Sequence, residues 1–292
     1  MDTASRLTPA RSVSEGVGVS MNHLMRELAP ITGAAWEQID DEARSRLAPN
    51  LAARRLVDVS GPHGWDFSSV NLGRVRPLDQ TTAGETGEGV RLRLRHVLAL
   101  AEVRVPFTVS RVELENAERG ADDLDLDDLG RAARELALLE NRAVFHGWAG
   151  ADITGLVDSS THRGLPLGAD PTEYPQVAAK AVDTLRNAGI GGPYALAIGP
   201  AGYERIVEST EHGGLLVLDH LRRILGGGKV VRSPGLTGAL VVSLDEGHFQ
   251  LHLGQDISVG YSHCDADTAH LYLEESFTFR VVEPDAVVAL TE

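Results

Sequence analysis

A single cysteine, Cys264, stands among 292 residues, so no intrachain disulfide can form, which fits a reducing, cytoplasmic setting. Aromatic residues make up only 5% of the chain, leaving few rings on which bases or sugars could stack. Basic residues are also scarce: Lys+Arg number 27 against 42 Asp+Glu, a net charge of −15. Non-specific nucleic-acid and anionic-membrane binding both depend on neutralising negative charge, so neither partner is expected. No apolar run approaches the roughly 18 residues that span a bilayer. The start, MDTASRLTPARSVSEGVGVS, lacks the apolar stretch of a secretory signal. Its Arg6, Arg11 and several Ser/Thr give it a faint likeness to a transit peptide. The simpler readings are a flexible tail, or sequence upstream of a start at Met21.

Catalytic and metal-binding motifs are missing as well. There is no CxxC, HExxH, GxSxG or GxGxxG. Gly226-Gly227-Gly228-Lys229 resembles a phosphate loop, but Val230 stands where Ser or Thr should follow the lysine. The acidic run Asp122 to Asp128 would need Gly at the sixth and Glu at the twelfth position of a calcium loop begun at Asp123. Asp128 and Arg134 stand there, so the acids are expected to cap the following helix. His263-Cys264-Asp265 reads as a turn between strands, since zinc ligands must be spaced to converge. No metal and no cofactor is expected, and the chain is not expected to be an enzyme.

Hydrophobic residues reach 42%, enough for a large core. Residues 1–20 are polar and small and are expected to be disordered. Trp36, Ile39, Ala43 and Leu47 recur at helical spacing between a Thr32 cap and Pro49. Strands are expected at Arg55–Val59 and Trp65–Leu72. Beyond a loop at 80–89, Val90, Leu92 and Leu94 alternate with Arg91, Arg93 and Arg95, a pattern continuing to Val105. This reads as an extended β-ribbon. Two-stranded ribbons are marginal alone, so it is expected to pack on a neighbouring subunit. A long helix from Asp127 to Trp148, capped by Asp125 or Asp127, carries Leu129, Ala133, Leu136, Leu139, Ala143 and Val144 on one face. Further helices are expected at Pro175–Ala188, Ala201–Glu208 and Leu215–Leu225, with a short buried strand at Tyr194–Gly199 between the first two. The last sixty residues divide into Lys229–Arg232, Ala239–Leu244, Phe249–Leu253, Ile257–Tyr261, Leu271–Leu273, Phe277–Val282 and Ala286–Leu290. The class is α+β.

Several segments, in order, resemble the family 1 encapsulins, also called linocin-type bacteriocins. They include Asn22-His23-Leu24-Met25-Arg26-Glu27-Leu28-Ala29-Pro30-Ile31, Trp36 to Glu42, Arg54 to Val59, and Glu102-Val103-Arg104-Val105-Pro106-Phe107-Thr108. Glu140-Asn141-Arg142-Ala143-Val144-Phe145-His146-Gly147, Gly254 to Tyr261 and Glu275-Ser276-Phe277-Thr278-Phe279 continue the series. The likeness covers residues 21 to about 290.

The resemblance implies the major capsid protein fold of tailed bacteriophages, the Hong Kong 97 phage-like fold. It implies an N-terminal helix and first strand at 21–65, an extended loop at 66–104 and a peripheral domain with its spine helix at 105–149. A mainly axial domain at 150–226 and a returning C-terminal sheet at 227–292 would complete the 21–292 protomer. It further implies a self-assembling icosahedral shell of about 60 copies, or a multiple of that number. The shell would enclose a cargo enzyme held by a C-terminal targeting peptide, either a ferritin-like iron-storage protein or a dye-decolourising peroxidase. The positions matching the family's docking groove are Leu47, Leu51, Arg54, Asp58, Asp256 and Ile257. Leucines and Ile257 would offer an apolar trough, while Arg54 and Asp58 would orient a peptide, or pair with each other or with core polar groups. Thr210, Glu211, His212, Gly213 and Gly214 match the pore-lining loop. Family members that resemble flavin binders carry aromatic residues where Val112 and Gly214 or Leu215 stand here, so flavin is not implied. A phage capsid protein and a hydrolase are the competing readings. The acidic charge opposes the first, and the lack of a nucleophile motif opposes the second.

Overall fold

The computed structural model describes residues 22–78, 90–210 and 214–291. The expected disorder of 1–20 and the expected loop at 80–89 lie outside them. Along the chain run α1 (Gly33–Leu47), β1 (Asp58–Ser60), β2 (Ser69–Pro77), β3 (Arg93–Ala99), β4 (Ala101–Ser110), α2 (Arg111–Glu118) and α3 (Asp127–His146). There follow α4 (Leu156–Ser159), β5 (Leu165–Pro166), α5 (Tyr174–Asn187), β6 (Tyr194–Ile198), α6 (Pro200–Glu208), α7 (Val217–Ile224) and β7 (Val230–Arg232). The end is built of β8 (Ala239–Ser243), β9 (Phe249–Leu253), β10 (Ser258–Cys264), β11 (Thr268–Val281) and β12 (Val287–Thr291).

Helix α1 begins where expected, because the Thr32 hydroxyl accepts the Ala35 N–H at 3.4 Å. Its buried face is Ala35, Ile39, Ala43 and Leu47, an unbroken spacing of four. Helix α3 buries Leu129, Ala133, Leu136, Ala143 and Val144 and ends at His146, with Gly147 beyond it at φ 81°. Asp125 accepts the Asp127 N–H at 3.2 Å, and Asp128 accepts both the N–H and the hydroxyl of Thr108. Neither expected residue is the N-cap: Leu126 holds that position without a side-chain cap, and Asp125 receives the Asp127 N–H from one residue earlier. Burial opposes the charge on Asp128, but the Thr108 hydrogen bonds and Arg131 outweigh it and hold its pKa below the ordinary value.

Two sheets organise the molecule. In the first, β1, β9, β11 and β10 lie in that order and β4 also pairs with β11. Strand β4 buries Val103, Val105, Phe107 and Val109 and exposes the residues between, as a sheet with one face on the core should. Helix α3 packs over it. The second sheet runs β5-β12-β8-β6-β7. Its central strands, Tyr-Ala-Leu-Ala-Ile and Ala-Leu-Val-Val-Ser, are buried at every residue. Ala195, Ala197, Leu240 and Val242 join the α3-side core, whereas Leu196, Ile198, Ala239 and Val241 join a second core with α5, α6 and α7. A sheet covered on both faces needs no polar alternation. The C-terminal strands therefore divide: β7, β8 and β12 belong to the second sheet, β9 to β11 to the first.

Three boundaries differ from expectation. The segment read as a strand at Arg55–Val59 is a 3-10 turn at Ala53–Arg55 followed by β1. The alternating run 90–105 breaks at Leu100, where the chain leaves the ribbon and enters the core as β4. Leu271–Leu273 and Phe277–Val282 are one strand, β11, because Glu274, Glu275 and Ser276 between them are buried within it.

The ribbon itself is β2 paired antiparallel with β3, displaced from the expected Trp65–Leu72. Its register sets Val75 opposite Arg95 and Arg76 opposite Leu94. Val75, Leu94 and Val97 are 53, 42 and 42% exposed. Both faces thus carry aliphatic side chains beside arginines; the base is half-buried at Val70, Leu72 and Leu98, while Val75, Leu94 and Val97 stay exposed among the described residues.

Candidate functional site

The residues singled out from sequence come from three places. Leu47 is the last residue of α1, and Leu51 follows a turn in which the Asn50 and Leu51 N–H groups both donate to the Leu47 carbonyl. Arg54 lies in the 3-10 turn and Asp58 opens β1. Asp256 and Ile257 lie in the bend between β9 and β10.

A buried asparagine fixes the first stretch. Asn141 of α3 donates to the Asn50 carbonyl at 2.7 Å and accepts the Ala53 N–H at 2.9 Å. One residue further, Arg54 enters a pocket of carboxylates. Its Nε donates to Glu140 at 2.8 Å, its Nη1 to Asp256 at 2.8 Å and its Nη2 to Glu275 at 2.5 Å. Glu140 and Glu275 have no exposed surface. Burial disfavours the charge on Arg54, yet Glu140, Glu275 and Asp256 outweigh it and push its pKa above the ordinary value. Burial first, and the charge of Glu140 second, push the Glu275 carboxyl well above the usual carboxylate range, with Arg54 offsetting only part. One guanidinium serves two buried carboxylates, which favours the neutral form of Glu275.

Asp256 has a second duty: its Oδ1 also accepts the Ile257 N–H at 2.8 Å. The ion cluster therefore sets the position of Ile257. That side chain and Leu47 line a groove of about 230 Å³ together with Leu24 and the more deeply buried Ala43, Val259 and Leu273. The rim is charged. Arg26 makes a bidentate pair with Asp40 at 3.0 and 2.8 Å and lies 4.0 Å over the Trp36 ring. Arg44 pairs with Asp41 while most of its side chain stays in solvent.

Of the six expected groove residues, Leu47 and Ile257 line it and Arg54 with Asp256 form the supporting cluster. Leu51 is half-buried against the core and is not among the lining residues. Asp58 is elsewhere: its carboxylate accepts the Gly247 N–H at 2.6 Å, tying β1 to the turn before β9. Arg54 and Asp58 do not pair with each other. Of the expected pore loop, Thr210 bridges to Leu216 and Gly214 has φ 82°, while Glu211, His212 and Gly213 lie outside the described residues.

Sequence reasoning passed over Glu140, Asn141 and Glu275. The first two had a signal, since they fall among Leu136, Ala137, Ala143 and Val144, the apolar face of α3. Glu275 had none within its own strand. The same is true of Glu274, which faces Arg104 and lies 3.3 Å from His23. Burial pushes the Glu274 carboxyl upward, and Arg104 offsets part of this. His23 stacks on Trp65 at 3.9 Å, and its carbonyl accepts the Tyr272 hydroxyl at 3.1 Å. The first described residues are thereby pinned to β11. Among the described residues, no group of three His, Cys, Asp or Glu converges as a metal site, and no helix is long and apolar enough to cross a membrane.

A family model described as an encapsulating protein for peroxidase matches residues 21–278. The type 1 encapsulin shell protein of Rhodospirillum rubrum is 47% identical over 271 residues, covering 92% of this chain and 96% of that protein. Among solved structures, a virus-like particle from Pyrococcus furiosus superposes with a TM-score of 0.59 at 17% identity, covering 86% of this chain and 98% of its own. The capsid of Myoviridae phage XM1 superposes with a TM-score of 0.51 at 14% identity, covering 82% and 91%. The fold is that of tailed-phage capsid proteins.

Proposed function

The chain belongs to the linocin-type, or type 1 encapsulin, family, and we propose from that premise that it is the self-assembling subunit of a protein shell enclosing a cargo enzyme. The carrying observation is the ribbon. Val75, Leu94 and Val97 are exposed on a two-stranded arm that has no core of its own. An arm with aliphatic and arginine side chains on both faces is stabilised by lying against further copies of the chain. The work of such a subunit is closure, capture and containment, done in the cytoplasm and without covalent chemistry.

The groove between Leu47 and Ile257 supplies the capture site. Its floor is aliphatic and its rim carries Arg26, Asp40 and Arg44, suited to an extended peptide with apolar anchors and polar flanks. The cargo is a peroxidase of the dye-decolourising class or a ferritin-like iron-storage protein bearing a C-terminal docking tail. The matching family's character, an encapsulating protein for peroxidase, supports the first. The test is Ile257→Asp, which places a charge on the aliphatic side of the groove. Shells should form in normal yield and emerge without cargo. Shells that retain cargo at the parental level reject the groove as the docking site.

A further inference from the structure

The turn Asn22–Leu24 packs on β10 and contributes Leu24 to the lining of the docking groove. Its middle residue, His23, holds it there. The imidazole stacks on Trp65 at 3.9 Å and 14°, and the His23 carbonyl accepts the Tyr272 hydroxyl at 3.1 Å. A third neighbour is Glu274, whose Oε1 lies 3.3 Å from the ring Nε2.

That last contact is incomplete. The two atoms are within reach of an ion pair, yet both are buried and neither makes a hydrogen bond among the described residues. Buried polar atoms left in this way are costly. The other carboxylate oxygen, Oε2, accepts from Arg104, which lies 4.8 Å over the Tyr272 ring and 3.4 Å from Glu102. With Glu102 and Glu274 ionised, Arg104 balances only one of them. Strand β10 brings no Asp, Glu, Lys or Arg, its titratable side chains being Tyr261, His263 and Cys264. Arg26 of the following turn is committed to Asp40. One positive charge is therefore missing, and a proton on the imidazole supplies it. Protonation makes Nε2 a charged donor opposite Oε1 and sets a cation on the Trp65 face. Burial inclines Glu274 itself towards protonation, so the two side chains take up one proton as a pair, whichever of them carries it.

We propose that His23 and Glu274 form a proton-dependent fastener that positions Leu24 in the wall of the docking groove. His23 is a positioning residue. The fastener closes as pH falls through the range in which imidazoles take up a proton, and it opens as pH rises. When it is closed the groove wall is already ordered, which lowers the ordering cost that an incoming peptide meets. The consequence for cargo, readier capture in mildly acidic than in alkaline surroundings, rests on the groove being the cargo site.

Two measurements on assembled full-length shells without cargo test this. Trp65 reports the proton, because an imidazolium stacked on an indole quenches its emission. Parental fluorescence should fall between pH 8 and pH 5.5. His23→Gln, whose amide N–H reaches about as far and does not titrate, should lack that step. Hydrogen exchange followed by mass spectrometry reads the turn itself. Protection of residues 22–28, corrected for the intrinsic effect of pH, should rise about tenfold from pH 8 to pH 6 in the parent, the worth of one charge-assisted hydrogen bond. It should be constant in His23→Gln and low at both values in His23→Ala. A fluorescence step that survives in His23→Gln, or equal protection at pH 8 and pH 6 in the parent, overturns the proposal. Neither measurement involves cargo, so failure here leaves the docking site standing. Cargo retained by Ile257→Asp would instead reject the docking site and leave the fastener.

Discussion

Removing Glu275 or Arg54 probes the buried cluster that positions Ile257. Around the Arg54 guanidinium stand Glu140 and Glu275, both without exposed surface, and Asp256, whose side chain is 46% exposed. Arg54→Met leaves at least one buried carboxylate uncompensated, a loss of about 3–5 kcal/mol. For a chain of this size that is a fall of roughly 10 °C in apparent Tm. Glu275→Gln acts differently, because Gln resembles the protonated form that the fold already prefers. Burial and Glu140 raise the folded Glu275 pKa above its unfolded value. Its contribution to stability is therefore complete below the unfolded value of about 4.3 and is lost as pH rises through the folded value. Glu275→Gln should remove that slope and be at least as stable as the parent at pH 8–9. The double variant Arg54→Met/Glu275→Gln should recover at least half of the loss caused by Arg54→Met, since the two side chains share one network. Melting followed by tryptophan fluorescence from pH 5 to 9 reads all three, through Trp36, Trp65 and Trp148. A Glu275→Gln variant with the parental pH slope, or an Arg54→Met variant as stable as the parent, refutes the reasoning.

Two further outcomes follow from the same contacts. Asn141→Leu orphans the Ala53 N–H and the Asn50 carbonyl, and should cost about 2–6 kcal/mol from two groups at ~1–3 kcal/mol each, seen as a lower denaturation midpoint. Val75→Asp with Leu94→Asp charges both faces of the ribbon. Circular dichroism should stay unchanged while gel filtration finds small species in place of shells. Normal shell yield from this variant would remove the ribbon from the account of assembly.

The parts of the fold set by neighbours along the chain were readable in advance. Periodicity located α1 and α3 to within two residues, and the strands expected at Tyr194–Gly199 and Ala239–Leu244 lie within one residue of β6 and β8. What escaped depends on distant partners. Arg54 meets carboxylates 86, 202 and 221 residues away, and no local pattern distinguishes such a residue from a surface arginine. Glu274 and Glu275 broke the apolar run of β11 into two expected strands, because buried charge is rare unless paired, and the pairs were out of sight. The groove was half legible. Family likeness pointed to Leu47 and Ile257, but it also pointed to Asp58, whose hydrogen bond to Gly247 commits it to holding β1 in place. Which C-terminal strand joins which sheet was equally hidden: β8 is apolar nearly throughout and β9 alternates, but neither pattern names the distant strands with which it pairs.

The most direct test of the shell is electron microscopy of the protein expressed alone and purified by size exclusion. The account predicts uniform hollow particles of icosahedral outline, containing about 60 copies or a multiple of that number. A monodisperse monomer or small oligomer, persisting when the chain is started at Met21, would contradict it.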